Sequence, residues 1–241
     1  HHPLVTIASK ERVAEQDYIL VGERYKVDKS LDTTYPVVPL SDICEINAEN
    51  KNPTLAFGDD EFIYIDISSV ENGTGKVDFS NKIKGTDAPS RAKRAVKKGD
   101  ILFSTVRPNL KAYGYVEREN CDCCVASTGF AVISAKSMVL SKYVYYMLYS
   151  EPVQNQLSSM MGKGAYPSVN QKDVSQIQIP LPSLSIQEDF VAELDSYQKI
   201  IDGARQVVEN YKPSIPISSS WEVIPLRNLC ENLDSKRIPI T

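Results

Sequence analysis

The sequence predicts an α/β (α+β) protein: a globular domain on a mixed, mostly antiparallel sheet, followed by a long helix suited to a coiled coil. Three observations carry this. Strand-like apolar runs bunch between residues 62 and 133. After Pro182, apolar residues recur at alternating spacings of four and three. An opening near the start of the domain returns after that row, at a constant offset of 186 residues.

Residues 1–34 are charged and weakly periodic, and read as a leader or a partner-docking tail. Pro36 and Pro39 introduce the compact domain. Along Phe62–Val70, Ile63, Ile65 and Ile67 share one face and Phe62 and Tyr64 the other, which predicts a strand. Asp100–Val106 and Ala112–Val116 read as strands around a loop holding Arg107, Pro108 and Asn109. Val125–Ile133 and Val174–Leu181 read as two more. Between these last two, Ser141 is placed to cap a helix through Tyr149. Ser150 is placed to cap another, with Pro152 in its first turn and Gly162 as its stop. Residues 35–182 therefore form one expected domain.

Residues 183–213 form the expected spacer helix. Ser185 and Glu188 have the spacing of a capping box, and Pro213 ends the segment. Phe190, Leu194, Tyr197, Ile201, Ala204, Val208 and Tyr211 make a heptad seam, narrower than the face of a helix lying in a core. Residues 186–212 of such a helix span about 40 Å. The repeat then begins. Tyr35-Pro-Val-Val-Pro-Leu-Ser-Asp-Ile-Cys-Glu45 matches Trp221-Glu-Val-Ile-Pro-Leu-Arg-Asn-Leu-Cys-Glu231, with Val, Pro, Leu, Cys and Glu identical in register. Residues 214–241 are thus expected to start a second domain–helix unit belonging to a longer parent.

Composition narrows the classes. The chain has 241 residues, 42% hydrophobic and 24% charged, as ordinary globular proteins do. Its five cysteines, with Cys121, Cys123 and Cys124 crowded together, do not resemble a secreted disulfide framework. A reducing, cytoplasmic setting and buried thiols are expected. His1 and His2, which read as the end of a tag, are the chain's two histidines, so imidazole chemistry is not expected. Charge is uneven. Residues 1–75 carry six Lys/Arg against fourteen Asp/Glu, and residues 82–118 carry ten against three. A basic window on an acidic chain suits DNA docking at one face, and equally suits a solvated charged surface.

Together these segments resemble the specificity subunits of type I restriction–modification systems. Arg94-Ala-Val-Lys-Lys-Gly-Asp-Ile-Leu-Phe-Ser-Thr-Val-Arg107 is similar to the family's basic-Gly-Asp-Ile-Leu-x-Ser-Thr strand. Gln176-Ile-Gln-Ile-Pro-Leu-Pro-Ser-Leu-Ser-Ile-Gln187 is similar to its strand–Pro-x-Pro–helix junction, with Ile186 where Glu is usual. The duplicated Pro-Leu opening is the third match. The resemblance implies a DNA target-recognition domain that reads half of a bipartite site, without catalysis of its own. It implies a helix that pairs antiparallel with a counterpart, and methyltransferase and restriction subunits as partners. A shorter stretch, Glu11–Tyr25, resembles the tail of an adenine-N6 methyltransferase subunit and would suit a fused parent.

Two loops are the candidate contacts to double-stranded DNA. In the first, Ser104–Lys111, Ser104 and Thr105 are candidates, Arg107 suits guanine or phosphate and Asn109 the edge of adenine, and Lys111 with nearby Lys93 and Arg94 suits phosphate. In the second, Gly162–Gln171, Lys163, Tyr166 and Asn170 are the candidates, and the family has a Gly-rich polar segment there. The seam residues suit a homodimer. No cofactor, metal or membrane is expected. No Asn/Asp-Pro-Pro-Tyr/Phe, Gly-x-Gly-x-x-Gly or Walker motif occurs. A small carboxylate-and-lysine hydrolase and a coiled-coil scaffold without DNA remain the alternatives.

Overall fold

The computed structural model describes residues 34–161, 167–211 and 220–230, together with Lys10 and Ala14. Most of the leader, the stretch 162–166, Pro213 and residues 231–241 lie outside them. The chain divides into two units, His1–Asp195 and Ser196–Thr241.

In chain order the strands are β1 (Val37–Pro39), β2 (Cys44–Ile46), β3 (Glu61–Ile65), β4 (Lys82–Lys84), β5 (Ala92–Ala95), β6 (Ile101–Ser104), β7 (Tyr113–Tyr115), β8 (Cys124–Ser127), β9 (Phe130–Ala135) and β10 (Gln178–Pro180). The helices are α1 (Leu40–Ile43), α2 (Pro53–Phe57), α3 (Ser141–Tyr149), α4 (Glu151–Met160), α5 (Gln171–Gln176) and α6 (Leu184–Asn210). The strands make three sheets: β1-β10, β2-β9-β6-β7 and β4-β3-β8-β5. Every pairing is antiparallel except β3 with β8. The mixed, mostly antiparallel α/β domain and the long helix after it are as expected.

Side-chain alternation builds the layers. On β6 and β9, Ile101, Phe103, Ala131 and Ile133 face a core shared with α1, α3, α4 and α5. Leu102, Phe130 and Val132 face the opposite way, onto Ile63, Ile65, Cys124 and Ala126 of the other large sheet. The two sheets are thus packed face to face. The far side of the second sheet buries Phe62, Tyr64 and Val125, with Phe57 of α2 packed against them. The alternation at Phe62–Ile65 therefore splits between two cores.

Four element boundaries differ from expectation. The strand from Phe62 stops at Ile65, because the Asp66 carboxylate accepts from Ser68 N at 2.8 Å and Ser69 N at 3.2 Å and caps a 3-10 turn, Ile67–Ser69. The run Val125–Ile133 is two strands in different sheets. The chain crosses at Thr128-Gly129, and Gly129 sits so close to Ile67 that a Cβ there would meet its Cδ1 at 2.7 Å. Val174–Leu181 is a strand only over Gln178–Pro180. Asn170 and Asp173 exchange cap hydrogen bonds of 3.0 and 2.8 Å, which turns Gln171–Gln176 into helix. Helix α6 opens at Leu184, so Ser185 lies inside its first turn rather than capping it. Ser150 stands at the N-cap of α4 with Pro152 in its first turn, as expected, but its Oγ donates to Met147 O at 2.6 Å and makes no side-chain cap bond; Ser141 lies inside α3, after the N-cap Leu140, and its hydroxyl donates to the Gly99 carbonyl.

The last residue of the Pro-x-Pro junction, Gln187, anchors α6. Gln187 is fully buried. Its Oε1 accepts from Leu140 N at 2.8 Å, and its Nε2 donates to Pro182 O at 2.9 Å. Phe190 packs edge-on against Tyr143, with centroids 5.5 Å apart. The Asp195 carboxylate accepts from Lys142 Nζ at 2.9 Å and from the Tyr146 hydroxyl. Burial first, and that carboxylate second, push the Tyr146 phenol up.

Candidate nucleic-acid interface

The loop after β6 is held from beneath. Ser104 is fully buried, and its hydroxyl donates to Val106 O at 2.8 Å. Thr105 donates to Gly129 O through both its backbone N–H, at 2.9 Å, and its hydroxyl, at 2.8 Å. The buried Tyr113 hydroxyl donates to Pro108 O at 2.7 Å. Burial pushes the Tyr113 phenol up to about 12. Ser104 and Thr105 thus shape the loop from inside, while Arg107 and Asn109 are exposed on it.

The loop's backbone is strained where its charges sit. Arg107 (φ 49°) and Lys111 (φ 54°) are left-handed and bracket the short turn Pro108–Leu110. Non-glycine residues rarely adopt this region, and it costs about 1 kcal/mol or more per residue. Such a conformation persists only where surrounding contacts over-determine it, as the hydrogen bonds above do.

The second candidate loop meets the first. Arg107 N donates to Pro167 O at 2.8 Å, Val169 N donates to Thr105 O at 3.0 Å, and Val106 forms a bridge with Ser168. Residues 62 positions apart thus share one short ladder. Lys163 and Tyr166 lie outside the described residues. Asn170 is exposed, with its amide oxygen used to cap α5.

The basic window sorts into neutralised and uncompensated charges. Lys97 pairs with Glu49 at 2.9 Å, Lys98 with Glu119, and Arg118 lies over the Phe79 ring. Arg94 Nη1 donates to Asn50 Oδ1 at 2.8 Å. Lys82, Lys84, Arg91, Lys93 and Lys111 meet no carboxylate among the described residues. Of the window's acids, Asp87 and Glu117 are exposed and Asp100 is buried; burial pushes the Asp100 carboxyl up, against the lowering effect of its hydrogen bonds from Ser134 and Lys97 N.

Cys44, Cys121 and Cys124 are buried as expected, whereas Cys123 is half-buried and Cys230 is exposed. Cys44 lies in one core, and Cys121 and Cys124 in the other. Burial raises the Cys44 and Cys124 thiols to about 12. On α6, Leu194 is half-buried, whereas Tyr197 is 52% and Val208 77% exposed; Ile201 and Ala204 are exposed as well, as is Tyr211 just past the helix end. Among the described residues, no helix is long and apolar enough to cross a membrane.

Comparison with known proteins assigns this architecture. Residues 33–210 match the family described as the type I restriction modification DNA specificity domain. The specificity subunit of the type I restriction enzyme HindI, from Haemophilus influenzae, is 27% identical over 186 residues, covering 72% of this chain and 37% of that protein. The EcoDI specificity subunit of Escherichia coli is 24% identical over 160 residues, covering 64% and 34%. The crystal structure of the HsdS subunit from Thermoanaerobacter tengcongensis superimposes with a TM-score of 0.64 at 32% identity, covering 74% of this chain and 45% of that one. A structure described under complex assembly and conformational transition of the type I R-M system gives 0.65 at 31%. The chain thus spans less than half the length of these relatives. With the family's pattern covering most of its length, and the sheet and helix laid out as in its solved members, the chain belongs to the type I restriction–modification DNA specificity domain family.

Proposed function

We propose that this chain binds double-stranded DNA sequence-specifically, reading one half of a bipartite target for a type I restriction–modification complex, and contributes no catalysis of its own. The observation that supports this most is the joining of the two candidate loops by a backbone ladder, with Arg107 and Asn109 exposed on a strained, pre-organised turn. Arg107 suits a bidentate contact to guanine, and Asn109 suits adenine. Binding-site selection from randomised duplexes tests the reading. One enriched half-site is expected. Arg107→Ala then costs roughly 1–3 kcal/mol on that site and relaxes one position. Absence of enrichment and of any salt-sensitive shift would leave the scaffold reading. Cleavage of duplex in magnesium would favour the hydrolase.

Methyltransferase and restriction subunits are the partners this reading implies. The uncovered row on α6 supports a further one, a second copy paired through antiparallel helices. About 40 Å of helix is comparable to one turn of duplex, about 34–36 Å, as two readers on one DNA face require. Fusion of the parent to a methyltransferase is the variant reading, resting on residues 11–25.

A further inference from the structure

Beside the reading loops lies a cleft of about 550 Å³, between the Asn50–Thr54 segment and β5 with the turn preceding it. Two backbone hydrogen bonds lay these segments side by side: Lys51 N donates to Lys93 O at 2.8 Å and Ala95 N to Glu49 O at 3.1 Å. The walls carry Lys51, Lys93 and Arg94, and no carboxylate. Each cation is placed differently. Lys51 Nζ donates to the Asp122 carbonyl at 2.7 Å and lies 5.5 Å from the Phe57 ring centre. Lys93 is exposed. The Arg94 guanidinium is held by Asn50, yet its Nε is the sole buried side-chain nitrogen or oxygen among the described residues that lacks a hydrogen-bond partner. None of the three meets a carboxylate among the described residues. Three like charges lining one space repel one another, and a guanidinium short of an acceptor leaves its charge under-compensated. An anion relieves both.

Two consecutive residues, Thr128 and Gly129, connect the cleft to the Arg107 loop. Thr128 lines the cleft, and its N–H donates to Arg91 O at 2.8 Å. The next carbonyl, that of Gly129, accepts both hydrogen bonds from Thr105. We propose that the cleft grips a backbone phosphodiester of the same duplex, and that this contact sets the register in which Arg107 and Asn109 read bases. The proposal rests on the DNA-binding reading above.

The test uses the full chain and its selected duplex, titrated across salt. Lys93→Gln changes an exposed side chain with no internal partner and leaves the fold intact; Arg94→Gln probes the wall itself. Each variant is expected to bind every sequence more weakly and to lower the slope of log K against log salt by about 0.9, the signature of one lost phosphate contact. Replacing single phosphodiesters by neutral methylphosphonates should identify one or two adjacent positions where wild type loses affinity and the variants do not. Wild-type binding with unchanged slopes in both variants overturns the cleft and spares the DNA reading. Failure of wild type to bind any duplex overturns both. Saturable binding of inorganic phosphate that the variants lose, with no methylphosphonate position distinguishing them from wild type, assigns the cleft to a free anion and overturns the proposal.

Discussion

Leu40 and Leu226 hold the same place in a repeated sequence and meet opposite surroundings: Leu40 is 0% exposed and Leu226 is 74%. The local structure of the two copies is alike. In the first, Cys44 N donates back to Leu40 O and closes one helical turn after Pro39. In the second, Cys230 N donates to Leu226 O at 2.9 Å, after Pro225. The difference is tertiary. Val37–Pro39 pairs with Gln178–Pro180, Leu40 N donates to Ile177 O at 2.9 Å, and Leu40, Ile43 and Cys44 enter the core with Val174 and Ile179. Among the described residues, Val223, Ile224, Leu226 and Leu229 have no such cover. The proline-leucine opening writes the turn, and burial requires a second surface from far along the chain.

Substitutions at matched positions break or sharpen this contrast. Leu40→Ala should cost about 2–5 kcal/mol in urea unfolding, as a large-to-small change in a packed core does. Leu226→Ala should stay within about 0.5 kcal/mol. Equal losses at both positions would break the comparison.

A smaller loss is expected where the domain holds α6. Gln187→Ala strands the Leu140 N–H and the Pro182 carbonyl, for a cost of about 1–3 kcal/mol. The exposed stretch of the same helix should behave differently. Ile201→Asp with Val208→Asp should leave the unfolding midpoint nearly unchanged and abolish any dimer seen in sedimentation. A midpoint shift as large as that of Gln187→Ala would mean this row is packed within the monomer.

The gentlest probe leaves the sequence intact. With the Cys44 thiol raised to about 12 by burial, it is almost wholly protonated at pH 8 and shielded by the core. Exposed Cys230 should react with a thiol reagent in the native protein, and Cys44 only on unfolding, as peptide mass mapping can follow. Raising the pH from 8 to 9 should not bring Cys44 into the native fast phase, since its ionisation lies higher still. Fast native labelling of Cys44 would show that β2 separates readily from β9.

What neighbours in the chain decide was legible from residues alone. The alternation at Phe62–Ile65, the seam along α6, the Pro152 helix start and the turn-forming Arg107-Pro108-Asn109 loop each depend on residues a few positions apart. Their periods and dihedral preferences are local physics. Such patterns also carried the family resemblance. Folding in three dimensions decided the rest. It split Cys124–Ser127 and Phe130–Ala135 between two sheets, joined Val106 to Ser168, buried Gln187 under Leu140, and set Lys51 beside Arg94 around a cleft. In each case the partners lie far apart in sequence. A side chain's type tells what it can bond or bury against, but only the packed sheets determine which distant backbone comes within 3 Å of it.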